Sequence, residues 1–163
     1  MGFPDLKGYA SYSNYYDITN KSNEGLLLLG AKTKFNTNTT LSFGVGNDCN
    51  IDANGNVKNK PALEVKATQD LGNAGNVNFT AQARYRRIDG NDQYRGVVGA
   101  NYQLKNGAKP YAATHFTTKN GVNTTGGWVG CSYKNVSMEL QGNYNLNNHS
   151  SSVLLNCILN VHI

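Results

Sequence analysis

The feature that most constrains this chain is a two-residue alternation of apolar and polar side chains, sustained over long runs. Val136, Met138, Leu140, Gly142, Tyr144 and Leu146 alternate with Ser137, Glu139, Gln141, Asn143 and Asn145. Val77, Phe79, Ala81, Ala83 and Tyr85 alternate with Asn78, Thr80, Gln82, Arg84 and Arg86, and Val153, Leu155, Cys157, Leu159, Val161 and Ile163 with a mixed set. A period of two places one class of side chain on each face of a pleated strand. No helical period competes with it. Ten strands are expected, at Gly8 to Thr19, Gly25 to Asn36, Thr39 to Asn47, Ala62 to Leu71, Val77 to Asp89, Gln93 to Lys105, Pro110 to Lys119, Thr124 to Lys134, Val136 to Leu146 and Ser152 to Ile163. Asn54-Gly55, Asn106-Gly107, Asn120-Gly121 and Gly90-Asn91 supply the positive φ that tight hairpins require. The chain reads as one antiparallel up-and-down meander, residues 1–163 forming a single β-barrel domain.

A closed meander can carry its oily face inward, as soluble barrels do, or outward, as membrane barrels do. The polar face decides between them. Charged residues make up only 15% of the chain, below the roughly 25% of an ordinary soluble domain. The polar positions are filled instead by Asn, Thr, Gln, Ser and Gly, which can hydrogen-bond one another in a confined wet lumen. The strands are about twice the usual globular length and match the roughly 9–11 residues that a tilted strand needs to cross a bilayer. The longest apolar run, Leu26 to Leu29, is far too short for a membrane helix. Backbone groups in lipid must all be paired, so the sheet has to close, and an even count of ten suits an antiparallel meander. Tyr94 and Tyr102 stand eight residues apart on one face, about 26 Å along a strand, close to the separation of two interfacial aromatic girdles. Tyr85, Tyr94, Tyr102, Trp128 and Tyr144 are assigned to those girdles, with Tyr9, Tyr12, Tyr15, Tyr16 and Tyr133 available to the same belts.

These alternations, strand lengths and aromatic positions resemble the bacterial outer-membrane β-barrel class, over nearly the whole chain. The resemblance implies an outer-membrane location, a lipid bilayer as medium and an outer-membrane assembly machinery as partner. In that class the last strand ends in an aromatic residue; here Ile163 takes its place. The class also places short turns at one end and longer loops at the other. In the expected topology the longest connection, Asp48 to Pro61, falls in the odd-numbered set and the tightest, at Asn135, in the even set. Met1 to Lys7 lack the apolar stretch of a secretion signal, so no signal peptide is expected within this sequence.

The projected lumen carries Lys32, Lys34, Lys66, Arg84, Arg86 and Arg95 against Glu64, Asp70 and Glu139. Rings of Arg and Lys favour anions in a pore, so the expected role is structural or that of a narrow porin-like pore preferring small anions. The same residues can instead pair across the barrel and fill it. Nucleic acid is not an expected partner: the net charge of +5 is thinly spread, with no basic run beyond Arg86-Arg87. The segment Asn50 to Val57 resembles the start of a calcium loop, with Asn50, Asp52, Asn54 and Asn56 in ligand register. Pro61 stands where the bidentate Glu belongs, so the signal is weak and no metal or cofactor is expected. Cys49, Cys131 and Cys157 form neither a CxxC motif nor an even set.

No catalytic residue is assigned and no enzyme is expected. Asp48, Asp52, Asp89, Asp92 and His149 project to one rim, where some ten-stranded outer-membrane barrels carry protease residues, but these loops are short for a substrate cleft. Two other classes stay open on sequence: a soluble lipocalin-like barrel binding an apolar ligand, and an extracellular adhesin or fibre module.

Overall fold

The computed structural model describes residues 6–162 as ten strands: β1 (Leu6–Asp17), β2 (Ser22–Lys34), β3 (Thr39–Ile51), β4 (Val57–Ala74), β5 (Val77–Ile88), β6 (Asn91–Tyr102), β7 (Lys109–Lys119), β8 (Val122–Tyr133), β9 (Val136–Asn145) and β10 (Ser151–His162). Each pairs with the next in antiparallel fashion, and β1 pairs with β10, so the sheet closes and has no open edge along its length. The expected meander is the observed fold. Ile163, where the class carries its terminal aromatic, lies outside the described residues.

Cross-strand partners share a face, which makes orientation readable. Ser13 pairs with Leu26, and Leu26 with Asp48; all three are buried, at 8%, 1% and 5% exposure. One residue along each strand the picture inverts. Leu29 is 54% exposed beside Leu28 at 4%, and Phe43, Val45, Val98, Phe116, Val129, Met138 and Leu140 are likewise exposed. Glu64, Arg86, His115, Thr117, Gln141 and Asn156 are buried. The barrel is therefore oily outside and polar within. Apolar surface on this scale requires a lipid neighbour, and the arrangement is the opposite of a soluble lipocalin-like barrel. Leu26, Leu28 and Ala62, with Ile88 against them, form a small apolar patch on the inner wall.

Two sequence expectations are corrected here. Asp48 to Pro61 is not a long loop: β3 and β4 run on as a ladder through Cys49↔Asn59 to Ile51↔Val57, leaving only a turn at residues 52–56. Its Asn and Lys residues concealed an alternation in which Lys58 and Lys60 point in while Val57, Asn59 and Pro61 point out. With that link shortened, no contrast between the two ends survives; the widest gap, residues 103–108, belongs to the even set. The second correction concerns aromatics. Tyr85, Tyr94, Tyr102 and Tyr144 do lie on the outward face, with Tyr94 and Tyr102 at opposite ends of β6. Tyr9, Tyr15 and Trp128 point inward, in register with Gly30, Glu24 and Gln141.

Within the 52–56 turn, Asp52 Oδ1 accepts the backbone N–H groups of Asn54 (2.9 Å) and Asn56 (3.0 Å), and Oδ2 accepts the Asn56 side-chain amide (2.9 Å). The Asn56 side chain holds this carboxyl below the usual aspartate range. Both oxygens are committed to the turn, and Asn50 lies inward on β3, so the calcium-loop candidates Asn50, Asp52, Asn54 and Asn56 do not converge.

Candidate functional site

Register assembles the lumen. Glu64 pairs with Arg86 and Lys66 with Arg84 across β4 and β5; Arg84 pairs with Arg95 across β5 and β6. Lys66, Arg84 and Arg86 thus stand about one carboxylate in mid-barrel, with Arg95 beside Arg84. Arg86 donates from Nη2 (2.6 Å) and Nε (3.0 Å) to Glu64 Oε2, and Arg84 Nε stands 3.9 Å from the same oxygen. The Glu64 and Arg86 side chains are each only 7% exposed. Arg84 Nη2 reaches Gln93 Oε1, and Arg95 Nη2 crosses the lumen to Gln141 Oε1 on β9, both at 3.4 Å. The Arg95 guanidinium lies 4.7 Å from the centroid of Trp128, whose ring is 5.4 Å from that of His115. Glu139 is engaged on the opposite wall, accepting from the Tyr111 hydroxyl and from Asn156 Nδ2, each at 2.8 Å.

Three cavities follow one another along the axis. The one at the rim carrying the β1–β2, β7–β8 and neighbouring turns holds about 480 Å³. It shares Tyr15, Arg84, Arg86, Arg95 and Gln141 with a middle cavity of about 220 Å³. The middle one shares Gln82, Val97 and Trp128 with a third, of about 300 Å³, toward the rim that holds the chain ends. Side chains, not an inserted loop or helix, divide the lumen at these two levels.

All eight residues expected to line a pore, Lys32, Lys34, Glu64, Lys66, Arg84, Arg86, Arg95 and Glu139, occupy inward register positions. Five of them gather at the constriction; Lys32 and Lys34 stand nearer the rim of the chain ends, and Glu139 belongs to the far wall. Sequence reading does not place Tyr15, Glu24, Asp48, His115 and Trp128 in the lumen: Tyr15 and Trp128 read as belt aromatics and Asp48 as a rim residue. The phase of neighbouring outward residues could have found two of these: Phe116 facing out places His115 in, and Val129 facing out places Trp128 in. The rim residues Asp48, Asp52, Asp89, Asp92 and His149 do not form a catalytic group. Asp48 is buried inward, Asp89 lies 3.6 Å from Lys60, Asp92 accepts from Tyr85 at 2.8 Å, and His149 pairs with the Tyr144 hydroxyl at 2.9 Å.

No protein-family model matches the chain, and no curated protein sequence does. Solved structures match over most of its length. A KdgM porin in complex with disordered oligogalacturonate aligns with a TM-score of 0.55 and 11% identity, covering 94% of this chain and 97% of the porin. A second KdgM porin structure aligns at 0.53 and 9% identity, covering 93% and 98%. Identities this low speak for the fold alone. The chain has the closed ten-stranded fold of the outer-membrane β-barrel class, in a porin-like form.

Proposed function

We propose that this protein is a narrow outer-membrane porin whose lumen favours small anions. The observation that carries the reading is the inner patch of Lys66, Arg84, Arg86 and Arg95 set about the single carboxylate of Glu64. In a low-dielectric wall such a field is weakly screened and attracts anions. An acidic oligosaccharide of the kind captured with the KdgM porin is an extended form of the same solute class. The lipid bilayer is the medium, and insertion is the task of an outer-membrane assembly machinery. The chain acts as a conduit, not an enzyme.

Planar-bilayer recording tests this. Discrete current steps are expected, with a reversal potential in a KCl gradient that marks chloride as the more permeant ion. Arg84→Glu with Arg95→Glu should move that potential toward potassium. Absence of steps, or a cation preference in the unaltered protein, would refute the proposal.

A further inference from the structure

The 480 Å³ cavity has walls of opposite sign, which an anion conduit alone does not explain. Glu24 of β2 lines one side with Asp17 of β1, whose carboxylate is committed to its own turn, accepting from the backbone of Thr19 and Asn20 and from the Asn20 amide. Strands β1 to β3 lie across the ring from β6 to β8. On the facing side Arg95, His115 and Lys119 line the cavity, with Arg84 of β5 beside Arg95. Among the described residues, Arg95 Nε and His115 Nδ1 are buried there without hydrogen-bond partners, while Arg84 Nε stands 3.9 Å from Glu64 Oε2. Arg86 is committed to Glu64. Buried polar groups left unpaired are costly; Arg95 Nε is such a donor on the basic wall, and Glu24 is the carboxylate facing the cavity from the other. A solute bearing both charges satisfies both walls.

We propose that this cavity binds a small zwitterion whose charges are several bonds apart, namely a short peptide with free termini. Its ammonium group meets Glu24, and its carboxylate meets Arg95 and Arg84. The volume lies within the usual range of small-ligand sites. This goes beyond the anion-conduit reading and does not require current to flow.

Trp128 is the only tryptophan in the chain and lies under Arg95, so its fluorescence reports occupation of that guanidinium, with calorimetry as an independent readout. The probes are trialanine, N-acetyl-trialanine and trialanine amide, titrated into the full chain in lipid nanodiscs. Trialanine should bind about tenfold more tightly than either capped form, as expected when one charge-assisted contact is lost. Glu24→Gln should abolish the advantage over the acetylated peptide, and Arg95→Gln the advantage over the amide. Equal binding of trialanine and its acetylated form, or no binding of any of the three, overturns the proposal. The capped-peptide comparison on the unaltered protein decides the matter even if a variant fails to assemble. A protein that binds trialanine but passes no current refutes the pore reading and leaves this one standing; one that conducts but binds none of the three does the reverse.

Discussion

Glu64 and Arg86 show what a single pair does in this lumen. The two side chains are nearly inaccessible and joined by two hydrogen bonds, so removing one partner strands the other's charge in the barrel wall. Glu64→Gln should destabilise the barrel by roughly 3–5 kcal/mol, whereas Glu64→Leu with Arg86→Met should cost less, because Arg86 is then not left behind as a buried unpaired charge. Urea unfolding in detergent or lipid micelles measures both; equal losses would show that the pair's charge is not what matters. Asp52 gives a pH test at the rim. Hydrogen bonding lowers its carboxyl below the unfolded value, so its contribution is fully present above the ordinary aspartate pKa of about 3.9 and is lost only as pH falls through the lower folded value. Amide protection at Asn54 and Asn56 should persist at neutral pH and fade only below about pH 4, and Asp52→Ala should remove it at every pH. Protection that fades near neutrality would contradict this.

At the level of elements, wall curvature depends on absent side chains. A Cβ at Gly30 would strike the Phe43 carbonyl on β3, and one at Gly44 would lie 2.7 Å from the Tyr9 hydroxyl on β1. Gly30→Val should cost about 1–3 kcal/mol or prevent closure between β2 and β3, seen as loss of the compact, heat-modifiable band on semi-native electrophoresis. Unchanged mobility and stability would show that this approach of the strands is dispensable. The same strands mark the limit of what alternation reveals. Where apolar residues hold the phase, as from Val136 to Leu140 or Val77 to Tyr85, the face assignments are legible in the sequence. In β8 the glycines at 126, 127 and 130 dilute the phase, and Trp128 reads as a girdle aromatic although Val129 and Cys131 hold the outward positions. Glu24 is not legible as a lumen residue, and Asp48 reads as a rim residue, for a different reason. Both lie at strand ends that polar residues extend beyond the apolar run.

For the molecule as a whole, ten strands and their order follow from a periodicity that any residue-by-residue reading detects. The contents of the lumen do not, because contacts such as Arg95 with Gln141 join residues of β6 and β9 through space that the pattern along one strand cannot describe. The inverted surface has a direct consequence for handling. Stripped of detergent or lipid, the barrel should aggregate, since its exposed leucines, valines and phenylalanines have no other partner; a chain that stays monodisperse in plain buffer by light scattering would contradict the membrane reading. The central claim is that Phe79 faces acyl chains while Gln82, three residues on, faces the enclosed axis. Nitroxide labels at these two positions, in a background with Cys49, Cys131 and Cys157 changed to serine and reconstituted in a bilayer, measure it by relaxation with dissolved oxygen and with a water-soluble nickel chelate. Oxygen dominance at 79 and its absence at 82 is the predicted result; the reverse ordering would contradict the account.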